Sequence, residues 1–143
     1  MSKSGRLPCK AIIHAVGPMW STGRRNEKNL LYETVFNILE EAESQGFTSV
    51  AMPAISTGIY QFPLDLAATI ILDAVKDFLK QPLPGQKLRE VHVIDQSSSV
   101  ASQFCKTALT VFKDVDNVKI EKNEDAAEKS SGRSLPQTSR SGE

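Results

Sequence analysis

The stretch Ala51-Met-Pro-Ala-Ile-Ser-Thr-Gly-Ile-Tyr-Gln-Phe-Pro-Leu64 runs from an apolar strand through a small-residue loop into a helix, and its reading decides the fold. A helix start offers unpaired backbone N–H groups and a partial positive charge, and Ser56, Thr57 and Gly58 are small enough to let an anion reach the main chain. The loop therefore suggests a phosphate-bearing ligand. Taken alone it also fits an ordinary strand-to-helix connection with a Pro63 helix start, because short glycine-containing loops are common in α/β proteins.

Upstream, Lys10-Ala-Ile-Ile-His-Ala-Val16 is a short apolar run rich in β-branched residues and closed by Gly17-Pro18, which reads as a buried strand. After Asn26 the period changes: Leu31, Val35, Ile38, Leu39 and Ala42 recur at helical spacing, and Gly46 supplies a stop at about the C′ position. This predicts a helix of about five turns. Thr48–Ile55 is the second strand. Beyond the opening loop, Leu66, Ile70, Ala74 and Phe78 form one helical stripe with Ala67, Ile71 and Val75 beside it, and Gln81-Pro82 ends that helix. Arg89–Asp95 reads as a third strand, and Ser97, Ser98 or Ser99 can cap a last helix carrying Val100, Phe104, Ala108, Val111 and Phe112. The order β, α, β, α, β, α argues for parallel strands with helices on both faces, and ligands of such sheets sit beyond the carboxyl ends of the strands. The Ser56-Thr57-Gly58 loop falls at that end.

At 143 residues, with 40% apolar and 24% charged residues, the chain has the composition of one globular domain. Seventeen basic residues balance seventeen acidic ones, so nonspecific nucleic-acid binding driven by net charge is not indicated. Cys9 and Cys105 fit no metal spacing and read as reduced thiols of a cytosolic or nuclear protein. The sequence has no run of 18 apolar residues, and its start, Met-Ser-Lys-Ser-Gly5, lacks the apolar core of a signal peptide, so neither membrane insertion nor secretion is expected. Residues 117–143 are polar, with Leu135 the last large aliphatic side chain, and are expected to form a disordered tail or linker.

Three motifs then converge. Gly5-Arg-Leu-Pro-Cys-Lys-Ala-Ile-Ile-His-Ala-Val-Gly-Pro18, the pair Leu30-Leu31, and Met52-Pro-Ala-Ile-Ser-Thr-Gly-Ile-Tyr60 stand in the order and spacing of the macrodomain, the ADP-ribose-binding module. The wording most resembles macrodomains of the mono- and poly(ADP-ribose) polymerase group, over about residues 5 to 113. The resemblance implies a three-layer α/β/α sheet, with residues 1–116 as a partial macrodomain. It also implies binding of ADP-ribose or ADP-ribosylated proteins, no other cofactor and no metal, in the nucleus and cytoplasm.

By the resemblance, the loop of Ser56, Thr57, Gly58, Ile59 and Tyr60 donates backbone N–H groups to the diphosphate, with Tyr60 near the distal ribose. Gly58 permits close approach without a Cβ. Tyr60 also reads as a partly exposed aromatic covering the sheet edge, and Ile55 and Ile59 as packing anchors. Asp95, Gln96 and Ser97, just after the third strand, map loosely to the adenine side. His14 and His92 have no carboxylate partner evident from the sequence and read as structural residues rather than general bases. Trp20 follows a Gly-Pro turn and is expected to cover a helix end, though an exposed indole could also touch a partner.

The family's Asn-rich loop and glycine-rich loop have no counterpart: the chain contains no Asn-Ala-Ala-Asn-like run and no Gly-Gly-Gly run. An N-terminally truncated macrodomain is expected, with strands missing, one of them between the first two strands here, and with weakened binding. From the same absence follows the expectation of a binding module that is not an enzyme. Two alternatives remain: an interaction fragment pairing a protein partner at its open sheet edge, and an ADP-ribosyl-protein hydrolase.

Overall fold

The computed structural model describes residues 1–80 and 84–115. In chain order these form β1 (Ser2–Lys3), β2 (Ala11–Ile12), α1 (Glu27–Ser44), β3 (Ser49–Met52), α2 (Leu64–Lys80), β4 (Glu90–Val93) and α3 (Ser98–Val111). The Gln81-Pro82 helix stop and the polar tail lie outside the described residues.

Helix α1 buries the five apolar positions that its periodicity marks, Leu31, Val35, Ile38, Leu39 and Ala42. It ends as Gly46 demands. With φ +78°, Gly46 takes the left-handed conformation, its N–H donates to Glu43 O (2.9 Å), and the Phe47 N–H donates to Ala42 O (3.0 Å). These two bonds satisfy carbonyls that the helix end would otherwise leave open.

Helix α2 packs against both α1 and α3, and this double contact sets its buried face. Ala67, Ala68, Ile71, Leu72, Ala74, Val75 and Phe78 are buried, whereas Leu66 and Ile70 are only half-buried. The core face is thus turned toward Ala67, Ile71 and Val75, beside the expected stripe, whose Ala74 and Phe78 are buried and whose Leu66 and Ile70 pack at the core's margin, and three alanines let the neighbouring helices approach. Along the seam with α1, Phe36 meets Phe78 edge-on at 5.6 Å, and the Tyr32 hydroxyl donates to Asp77 Oδ2 at 2.6 Å. That bond, with burial and the Asp77 charge, pushes the Tyr32 phenol up to about 12.

Strands β3 and β4 pair in parallel, with Ser49 opposite Glu90 and Met52 opposite Val93. A parallel pair needs a long crossover, which α2 supplies. Val50, Met52, Val91 and Val93 pack into the core with the helices, while Ser49, Ala51, Glu90 and His92 alternate to the other face and are exposed. Among the described residues the helices therefore cover one face of this ribbon, and the α/β/α sandwich is incomplete. The start of β4 is pinned from α1: the Glu43 carboxylate accepts the N–H groups of Lys87 (3.0 Å) and Leu88 (3.2 Å). The Arg89 N–H then donates to Thr48 O at 2.9 Å.

The first strand departs from expectation. Instead of a buried run over 10–16, only Ala11–Ile12 is extended and paired, antiparallel to Ser2–Lys3, in a ribbon separate from β3–β4. His14, Ala15 and Val16 are exposed, Val16 at 79%. An apolar run becomes a buried strand only when a neighbour pairs its backbone, and no described strand lies between β2 and β3.

Leu39 is 0% exposed and Leu109 67% exposed. Leu39→Ala is expected to cost about 2–5 kcal/mol in urea unfolding and Leu109→Ala less than about 0.5 kcal/mol. Equal costs would contradict the packing described.

Candidate functional site

Because β3 and β4 are parallel and end opposite each other at Met52 and Val93, the 53–63 loop and the 94–97 loop leave the sheet at the same end. This is where open α/β sheets hold their ligands.

The 53–63 loop is folded on itself. The Thr57 N–H and Oγ1 both donate to Ala54 O, at 3.2 and 2.6 Å, the Phe62 N–H donates to Ser56 O at 2.9 Å, and the Gln61 N–H donates to Gly58 O at 3.0 Å. Ser56 (φ +67°) and Gln61 (φ +58°) adopt the left-handed conformation that non-glycine residues rarely take. Of the five N–H groups from Ser56 to Tyr60, only that of Thr57 finds an acceptor; those of Ser56, Gly58, Ile59 and Tyr60 donate to none among the described residues. A run of open backbone donors on one short turn is an anion-binding concavity. Around Gly58 a Cβ would meet nothing within 4 Å, so the space beside this main chain is free.

Two sequence expectations change here. The open donors belong to the 56–60 turn, with Gln61, Phe62 and Pro63 standing between it and α2, whose exposed Asp65 places a carboxylate in the first helical turn. A carboxylate there complements the helix dipole and opposes a second anion, so the loop rather than the helix start carries the site's character. Ile55 packs against the core as expected, but Ile59 is 91% exposed and anchors nothing.

A second segment holds the loop from outside. The Trp20 N–H donates to Tyr60 O at 2.9 Å, and the indole lies 4.8 Å from the Phe62 ring at 60°. Trp20 thus covers the residues just ahead of α2. Behind it, the buried Glu27 carboxylate gathers the N–H groups of Ser21 (2.8 Å), Gly23 (2.9 Å) and Arg25 (2.7 Å). The Ser21 N–H, joined by those of Gly23 and Arg25, outweighs the desolvation of burial and lowers this carboxyl from 4.5 to about 2. Sequence reasoning missed Glu27. Its signal was an acidic residue at the first helical position after the polar run Ser21–Asn26, a carboxylate able to fold back onto open N–H groups.

On the neighbouring loop, Asp95, Gln96 and Ser97 are all exposed. Asp95 Oδ1 accepts the Ser97 N–H at 2.9 Å, and Ser97 sits at the N-cap of α3 with its hydroxyl turned to Ser99 Oγ (2.8 Å) instead of the helix backbone. Tyr60 is half-buried. His14 is exposed at the β1–β2 edge and bonded to Ser2 Oγ at 2.8 Å, while His92 lies on the open sheet face 3.2 Å from Glu90 Oε2, the carboxylate neighbour that the sequence left unseen. Cys9 and Cys105 are free thiols. Among the described residues no group of three His, Cys, Asp or Glu side chains is placed to hold a metal ion, and no helix is long and apolar enough to cross a membrane.

Glu27 yields a signed pH dependence. Its folded pKa lies below the ordinary 4.5, so the charged form favours the fold above pH 4.5, and that contribution is lost as pH falls from 4.5 toward about 2. Thermal melts across that window are expected to show a falling melting temperature in the native chain and a flatter profile in Glu27→Gln. Identical profiles would contradict the role given to Glu27.

Comparison with known proteins supplies the context of this loop. The family model described as Macro domain matches residues 1–71. Over 84 residues the chain is 46% identical to an O-acetyl-ADP-ribose deacetylase of Escherichia fergusonii, covering 58% of this chain and 48% of that protein. The same named enzyme of Citrobacter koseri is 49% identical, with the same two coverages. A solved structure of an Oceanobacillus iheyensis macrodomain mutant with ADPR has a TM-score of 0.68 and 30% identity, covering 75% of this chain and 55% of its own. The chain thus spans about half the length of the curated relatives it matches. These relatives are bacterial deacetylases rather than proteins of the polymerase group, which corrects the finer resemblance read from the motifs. They also overturn the expectation of a non-enzymatic module, since the relatives matched at 46% and 49% identity are named as enzymes. Family model and fold agree: residues 1–71 match the Macro domain model, and the chain shares the fold of solved macrodomains.

Proposed function

We propose that the 56–60 loop holds the diphosphate of ADP-ribose, and that it serves in the hydrolysis of O-acetyl-ADP-ribose. The observation that carries this reading is the set of open N–H groups at Ser56, Gly58, Ile59 and Tyr60, on a turn closed by its own hydrogen bonds. Two bridged phosphates present acceptor oxygens along a line, which such a row of donors matches without any charged side chain. The bound ADPR in the Oceanobacillus iheyensis structure and the deacetylase names of the bacterial relatives support the ligand and the reaction.

In that reaction water adds to the ester carbonyl, the bond between the carbonyl carbon and the ribose oxygen breaks, a proton from the water passes to that oxygen, and acetate and ADP-ribose leave. The chain's own contribution is positional. Gripping the diphosphate fixes the ribose ester that hangs from it, converting a free encounter with water into an oriented one. Tyr60, at the end of the turn, flanks the distal ribose in this reading, and Asp95, Gln96 and Ser97, on the loop at the same end of the sheet, face the adenine side.

Calorimetric titration of the chain with ADP-ribose is expected to saturate, and a ligand excess of 100-fold over Kd to raise stability by about 2.7 kcal/mol. Gly58→Val, placed where a Cβ meets no protein atom within 4 Å, is expected to leave the melting temperature of the free chain nearly unchanged and to weaken ADP-ribose binding tenfold or more, ~1.4 kcal/mol. Acetate release from O-acetyl-ADP-ribose tests the reaction. Failure to saturate at millimolar ADP-ribose would remove the whole reading, whereas saturation without acetate release would remove only the hydrolase part.

A further inference from the structure

Gly17 lies outside the 56–60 turn, yet it is pressed against the turn's first residue. A Cβ built on Gly17 would overlap Ser56 Oγ and come within 2.6 Å of Ile55 Cγ2. Gly17 has no positive φ, so the requirement is for space and not for backbone freedom. On the other side of this contact, Ser56 is 9% exposed, holds φ +67°, and its Oγ is a buried hydroxyl with no hydrogen-bond partner among the described residues. A strained backbone and an unsatisfied hydroxyl at one residue persist only where the surroundings over-determine it.

The surroundings that do so lie at the two ends of the turn. At one end of the turn the Gly17 backbone meets Ser56 and Ile55; at the other the Trp20 N–H holds Tyr60 O. Residues 17–20 therefore span the turn like a brace, and Pro18, with its fixed φ, limits how far the two contact points can move apart.

We propose that Gly17 is a positioning residue for the 56–60 turn: its missing side chain sets Ser56 in the left-handed conformation that leaves the N–H groups of Ser56, Gly58, Ile59 and Tyr60 open together. The inference rests on the reading of this turn as the diphosphate loop. Its physical content is separate, because it assigns the loop's shape to a residue outside the loop, on the 17–20 segment. Pre-organisation of this kind lowers the ordering cost of binding without adding a contact.

The test compares the native chain with Gly17→Ala, Ser56→Gly, and the double variant Gly17→Ala/Ser56→Gly, each titrated with ADP-ribose and each followed by the emission of Trp20, the chain's one tryptophan. Gly17→Ala is expected to bind tenfold or more weakly and to shift Trp20 emission to the red, as the brace lifts from Phe62. Ser56→Gly, which keeps the backbone N–H and accepts φ +67° without strain, supplies the reference affinity and emission for the double variant. In the double variant the lost hydroxyl removes the nearer overlap and leaves only Ile55 Cγ2, 2.6 Å from the new methyl group, to shift, so affinity and emission are expected to return part of the way from those of Gly17→Ala toward those of Ser56→Gly. Native affinity in Gly17→Ala would overturn the inference while leaving the diphosphate reading intact. So would a double variant that melts like the native chain but binds no better than Gly17→Ala. Absence of saturation in the native chain would remove the diphosphate reading itself, and this inference with it. If Gly17→Ala alone does not melt cooperatively, recovery of both melting and binding in the double variant still supports the brace, and failure to recover either overturns it.

Discussion

The parallel pairing of Ser49–Met52 with Glu90–Val93 is the constraint from which the rest of the arrangement follows. Two parallel strands cannot be joined by a tight turn, so the chain between them must cross over, and α2 with its buried alanine-rich face is that crossover. Parallel strands also end together. The loops after Met52 and after Val93 consequently share one end of the sheet, and residues far apart in sequence come to line one region. Register is guarded from outside the ribbon as well. Glu43, near the end of α1, accepts the N–H groups of Lys87 and Leu88, and the fully packed Leu88 follows directly. A slip of one residue would turn Val91 and Val93 to solvent and His92 into the core.

Within that frame the chain treats its backbone donors in two opposite ways. Around α1 they are gathered: Glu27 collects three N–H groups at the helix start, and the Gly46 turn closes the helix end with two further bonds. Around the 56–60 turn they are left open, and the turn is kept from collapsing onto its own carbonyls by the left-handed Ser56, by the Thr57 bonds to Ala54, and by Trp20 at Tyr60. Open donors beside a free volume at Gly58 are, on the proposed reading, a site built by restraint rather than by charged side chains. The chain's balanced net charge is consistent with such a device, because backbone dipoles need no excess of lysine or arginine.

What the sequence made legible depended on whether the cause was local. Helix α1 was readable to its last residue because both its apolar spacing and Gly46 act within a few positions. The strand, loop and helix course of 51–64 was readable because an apolar run, small loop residues and Pro63 mark it locally. The turned face of α2 was not, since it depends on α1 and α3 both packing against it. Nor was the fate of 10–16, where an apolar run awaits a strand that no described residue supplies. Glu27 and Gly17 were missed for a related reason: each acts through contacts that appear only when the 17–27 segment lies against the 53–63 loop or against its own helix start. The non-enzymatic reading failed on a different point, because it weighed two absent motifs, and relatives 46% and 49% identical over 84 and 84 residues are named as hydrolytic enzymes.

The central claim is that an anion is held by particular backbone amides, and amide-resolved NMR during an ADP-ribose titration tests it most directly. If the turn is the diphosphate site, the amide resonances of Ser56, Gly58, Ile59 and Tyr60 move together and saturate at one ligand concentration. Thr57, whose N–H is already committed to Ala54 O, moves less than its neighbours. Shifts that saturate elsewhere in the chain while these four amides stay in place would contradict the claim.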